Sequence, residues 1–111
     1  MTADAANRST QGDAPFEAVD SKLTIYALAN GMDLEKREAS RRLAWFREGL
    51  DRGILVEVGA DRSFSVSALA WRSRDASSER KAPVAERIDA AELPTRLSGL
   101  LDQATEIANG L

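Results

Sequence analysis

Arg41, Arg42, Trp45 and Arg52 fall within one short stretch of this 111-residue chain, and they are the residues best suited to recognition. An indole supplies large contact area and a guanidinium supplies directed hydrogen bonds, the two resources concentrated at interface hot spots. At about 100° per residue, a helix through this stretch turns Trp45 away from Leu43 and Phe46 and toward Leu34, Arg42 and Arg52. The four residues are therefore the candidate contact for a protein partner. The competing reading packs Leu34 and Trp45 as a second apolar face under another helix, in keeping with the high average burial of tryptophan.

Other chemistry is thinly represented. The chain has no histidine and no cysteine, which removes the commonest general base, the commonest transition-metal ligand and any disulfide framework. Carboxylates are plentiful but stand in no recognisable constellation with a nucleophile, a metal ligand or a glycine-rich phosphate loop. A non-enzymatic protein without cofactor or metal is expected. Serines 63, 65 and 67 alternate with apolar residues, which is strand geometry and not a catalytic array.

Charge is distributed in blocks. Residues 36–81 hold 11 of the 15 basic groups against seven acidic ones, while residues 1–35 and 82–111 are both acidic. The basic centre either meets a polyanion or is neutralised by its acidic flanks, and the net charge of -3 favours the second. No apolar run approaches the roughly 18 residues of a membrane span. The first residues lack the basic start and apolar run of a secretory signal, so a cytoplasmic protein with no membrane contact is expected.

The elements that must position these residues read as an α+β domain. Residues 1–15 are polar and small, which predicts a disordered tail before a single domain over 16–111. From Asp20 or Ser21 to Asn30-Gly31 a short buried helix is expected, though the alternation of Leu23, Ile25 and Ala27 leaves a strand open. Ala39, Leu43, Phe46 and Leu50 recur at steps of four, three and four, predicting a central helix from Asp33 to Arg52 capped by Gly53. Its i to i+4 pairs, such as Glu38 with Arg42 and Glu48 with Arg52, describe a solvated face.

Beyond Gly53, Ile54, Val56 and Val58, then Phe64, Val66, Ala68 and Ala70, alternate as a β-hairpin with one apolar side. Residues 72–85 are basic and serine-rich and read as a mobile connector. A last helix is expected over 89–109, its seam formed by Leu93, Leu97, Leu100, Leu101, Ala104 and Ile107. That seam must dock on the domain or on a second copy.

Leu43, Phe46, Leu50, Gly53-Ile54-Leu55 and the hairpin through Trp71 resemble the second half of a winged helix-turn-helix, with Ile25–Gly31 and Met32–Glu38 as the helix and turn before it. The resemblance implies a DNA-binding regulator in which Arg37, Arg41 and Arg42 face the major groove and Arg62 the wing-side phosphates. It also implies a homodimer through the last helix, since paired half-sites need a symmetric protein. Glu38 and Glu48 would bring acid to DNA, so a protein partner ranks ahead of DNA.

Overall fold

Two-residue turns decide the architecture. In the computed structural model, which describes residues 14–111, a 3-10 turn (Ala14–Phe16) and helix α1 (Asp20–Asn30) lead into five strands. These are β1 (Asp33–Arg37), β2 (Ser40–Arg47), β3 (Leu50–Val58), β4 (Phe64–Arg72) and β5 (Asp75–Ile88), followed by helix α2 (Leu93–Gly110). Every strand pairs antiparallel with its successor, giving one sheet in the order β1-β2-β3-β4-β5. The α+β class holds.

The central helix expected over residues 33–52 is not present; β1, β2 and the start of β3 occupy the segment. Arg37 pairs with Ser40 and Arg47 with Leu50, leaving Glu38-Ala39 and Glu48-Gly49 as two-residue turns. Glu48 and Gly49 both have positive φ, 53° and 81°, the backbone of a type I′ turn whose twist matches that of the strands it joins. The four residues behind the helical reading are dispersed accordingly. Leu43 is fully buried, Ala39 sits exposed in a turn, Leu50 is half-buried, and Phe46 points out of the other side of the sheet, 65% exposed.

β3 and β4 are antiparallel neighbours, with Ile54 opposite Ala68, Val56 opposite Val66 and Val58 opposite Phe64 on one face. They form the middle of a larger sheet instead of a free-standing hairpin. Between them, the Asp61 carboxylate accepts hydrogen bonds from the Ser63 N–H at 3.0 Å and from the Ser63 hydroxyl at 2.8 Å. Those bonds favour the charged form and hold Asp61 below its ordinary value of 3.8.

The connector expected over 72–85 is instead most of β5. Its apolar period is hidden because register shifts interrupt its pairing with β4, and because an edge strand tolerates Pro83 and the charges of Arg80 and Lys81. Of the predicted N-terminal tail, residues 1–13 lie outside the described residues, whereas Ala14 and Pro15 belong to the 3-10 turn with Phe16.

Both helices lie on the same face of the sheet. α1 ends where Gly31 adopts the left-handed conformation (φ 66°) that lets the chain leave the helix. α2 starts at Leu93 with Pro94 in its first turn, where a missing N–H costs nothing. Phe16, Leu23 and Ala27 from the N-terminal side meet Leu43, Ile54, Val56, Phe64, Val66 and Ile88 of the sheet and Leu93, Leu97, Leu101 and Ala104 of α2 in one core. Phe16 and Phe64 pack edge to face, with ring centroids 5.4 Å apart.

Candidate functional site

Strand periodicity separates residues that a helix would have gathered. Arg41, Leu43 and Trp45 point toward the helices, while Arg42, Ala44 and Phe46 point to the opposite face. Of the predicted contact set, Trp45, Arg41 and Arg52 therefore serve the packing. The Trp45 indole N–H donates to Asn109 Oδ1 at 3.0 Å, near the end of α2. Arg52, 3% exposed, donates to the Ala108 carbonyl and, at 3.2 Å, to the Arg47 carbonyl. A cation there satisfies a helix C-terminal carbonyl and complements the dipole.

Arg41 is fully buried. Its guanidinium lies 4.2 Å over the Phe16 ring, donates through Nε (2.8 Å) and Nη2 (3.2 Å) to the Asp20 carboxylate, and through Nη1 to the carbonyls of Arg37 and Ser40. One side chain thus ties the 3-10 turn, the start of α1 and β2 together.

The residues singled out for DNA contact do not form one surface. Arg41 is buried, Arg42 is on the helix-free face, Arg37 is exposed on β1 and paired with Glu35 at 2.6 Å, and Arg62 is exposed in the β3–β4 turn with φ 65°. The recognition-helix segment of the winged-helix resemblance is β2 and β3. In the α2 seam, Leu93, Leu97, Leu100, Leu101 and Ala104 are buried on this chain's own sheet, and Ile107 is half-buried.

The helix-free face carries the other tryptophan. Trp71 stands opposite Asp51 in register, and its ring lies across Gly53: a Cβ built on Gly53 would come within 3.1 Å of the indole and 3.2 Å of the Leu43 carbonyl. Glycine inside a strand is explained here by close approach, since any side chain would crowd the ring and the Leu43 carbonyl by a few tenths of an ångström. Arg42 stacks on the indole at 5.2 Å and lies 3.9 Å from the Glu79 carboxylate. The Ser73 hydroxyl donates to Asp51 beside it.

Around this cluster Leu55 is half-buried, Leu69 is 1% exposed, and Lys81 donates to Glu57 at 3.2 Å. Phe46 projects from the same face. Sequence reasoning placed Trp71 only at the end of a strand and Phe46 on the apolar stripe of a central helix. The signal that points to this cluster is Gly53 lying between alternating strand residues, which a helix C-cap assignment had absorbed.

A second feature lies on the helix side. Between α1 and α2 runs an apolar groove of about 240 Å³ lined by Lys22, Ile25, Tyr26, Ala29, Pro94, Leu97, Ser98 and Leu101. Ile25 and Leu28 stand beside it 66% and 79% exposed. Tyr26 bridges the helices, its hydroxyl donating to Asp102 Oδ1 at 2.8 Å with Thr105 Oγ1 3.2 Å away. Burial, and then the adjacent Asp102 charge, raise the phenol above its ordinary value of 10.0, offset in part by Thr105.

Among the described residues no group of three or more acidic side chains is placed to hold a metal ion, and no helix is long and apolar enough to cross a membrane. No family model, no curated protein and no solved structure matches the chain.

Proposed function

We propose that this protein is a small, non-enzymatic interaction module that binds a protein partner across the helix-free face of its sheet. The observation that carries the reading is the Trp71 cluster. The indole is seated on Gly53, Arg42 is stacked on it 3.9 Å from Glu79, and Phe46 stands exposed on the same face. Aromatic and arginine side chains held on strands lose little freedom on binding, which is the condition for a hot spot. The exposed Glu57–Lys81 pair lies on the same face beyond the cluster, in keeping with the polar rim of a non-obligate interface.

The test compares the native chain with Phe46→Ala and Arg42→Glu, both on surface positions, as immobilised baits in extract of the native host. A protein retained by the native chain is then purified and titrated. Removing a hot spot of about 2 kcal/mol should weaken that complex roughly 30-fold in each variant, with circular dichroism unchanged. Equal affinity for native chain and variants would overturn the reading. Duplex DNA binding that falls steeply with salt would replace it with a nucleic-acid function.

A further inference from the structure

One end of the sheet holds more positive charge than its acids neutralise. Register pairs Arg72 with Asp75, so Ser73-Arg74 form a two-residue turn at the same end as Glu48-Gly49. Arg74 has φ 66°, a backbone that favours Gly or Asn, so the arginine adds charge there at a cost in strain. Each acid at this end is engaged: Glu48 by Arg47, Asp51 by the Ser73 hydroxyl, Asp75 by Ser77 and Glu79 by Arg42. Among the described residues, no carboxylate lies within ion-pair distance of Arg72, Arg74 or Arg80.

Two of these arginines, Arg72 and Arg80, line a pocket of about 430 Å³ together with Leu50, Ala70, Ser77 and Ser78. Glu79, the acid of its lining, is the residue already turned toward Arg42. Ala70 lies opposite Arg52 on one side and Arg80 on the other. Directly opposed residues share a face, and Arg52 reaches the Ala108 carbonyl, so Ala70 and Arg80 belong to the helix side, away from Phe46 and Arg42. The pocket wall is built in advance. The Ser78 hydroxyl accepts the Arg72 N–H at 2.7 Å and donates to the Asp75 carbonyl at 2.7 Å, while the Ser77 hydroxyl donates to the Asp75 carboxylate. With the hydroxyls committed, the guanidinium groups are the open donors.

We propose that this pocket binds a phosphoryl dianion carried on a small organic molecule. Guanidinium forks meet phosphate oxygens two at a time, and two such forks from facing strands match the charge and the oxygen count of a dianion. A carboxylate would occupy one fork and leave the second arginine unmatched. Leu50 offers apolar contact to the organic body, and the volume is that of a small-molecule site. The site does not use Phe46 or Arg42, so this proposal and the partner surface stand or fall separately.

Titration of the full chain with phenyl phosphate, followed by calorimetry and by amide chemical shifts, tests this, with benzoate and inorganic phosphate as comparisons. Phenyl phosphate should bind at one saturable site, with shifts centred on residues 70–80. Arg72→Gln and Arg80→Gln, both at exposed positions, should each weaken binding about 10-fold, whereas Arg62→Gln in the turn at the opposite end should leave it unchanged. Affinity should rise between about pH 5 and about pH 7 as the phosphate loses its second proton. The chain has no histidine that could produce the same dependence. Inorganic phosphate binding as tightly as phenyl phosphate would assign the site to the free anion. Benzoate binding equally well, an equal loss in Arg62→Gln, or no saturation by about 20 mM would overturn the proposal.

Discussion

Arg41 shows how one residue changes meaning with its backbone. Placed on a helix it is a solvent-facing cation free for a partner; on β2 it points inward, fully buried, with its guanidinium bonded to Asp20 and to two backbone carbonyls. Buried charge is tolerated only when so completely paired. Arg41→Met should therefore destabilise the fold by about 3 kcal/mol, because it takes the buried donor from the Arg37 and Ser40 carbonyls and leaves the Asp20 carboxylate with only Lys36, 3.9 Å away. Urea unfolding checks this, and Arg41→Met with Asp20→Asn should recover part of the loss. An additive double variant would show that the two side chains do not act as a pair. Arg42, one position along, faces the opposite way and lies over Trp71, not beside Trp45 as a helix would have placed it.

Among the elements, those bounded by strong local signals were legible in sequence. α1 lies between Asp20 and the Asn30-Gly31 stop, and α2 follows the leucine seam from Leu93. The alternating run from Ile54 to Ala70 reads directly as two strands. Residues 33–52 did not, because Leu43, Phe46 and Leu50 match a helical step by coincidence and no β-branched residue occurs in β1 or β2 to contradict it. The overlooked cue was Glu48-Gly49, a hairpin turn lodged where an uninterrupted helix would disfavour glycine. The Trp71 cluster was hidden for a similar reason, since its members come from β2, β3, β4 and β5 and only the register of four strands brings them together.

The two helices are also joined to each other, through the Tyr26 hydroxyl and Asp102. With the phenol raised above 10.0, its contribution is fully present below that value and is lost as pH climbs through the raised one, where phenolate and carboxylate repel. The stability advantage of the native chain over Tyr26→Phe, measured by denaturant titration, should accordingly be constant near about pH 8 and decline above about pH 10. An advantage that persists unchanged into strong alkali would mean that the bridge is not formed.

At the scale of the whole molecule, the sheet depends on α2. Leu93, Leu97, Leu101 and Ala104 cover Ile54, Val66 and their neighbours, and the Arg52 and Trp45 bonds fasten the far end of the helix. Removal of residues 93–111 should leave a chain that binds a hydrophobic dye and loses its cooperative thermal transition, since a sheet with one bare apolar face cannot hold a fixed packing. Retention of a sharp transition would show that α1 and the sheet suffice.

The strictly sequential strand order has a temporal counterpart. Each strand can zip onto the one made just before it, so the ribbon of Asp33–Ile88 needs no distant chain segment to begin assembling as it leaves the ribosome. Its greasy side must nevertheless wait for the last leucines to be translated. The interval between those two moments is when the nascent chain is most prone to clump and has most need of a chaperone.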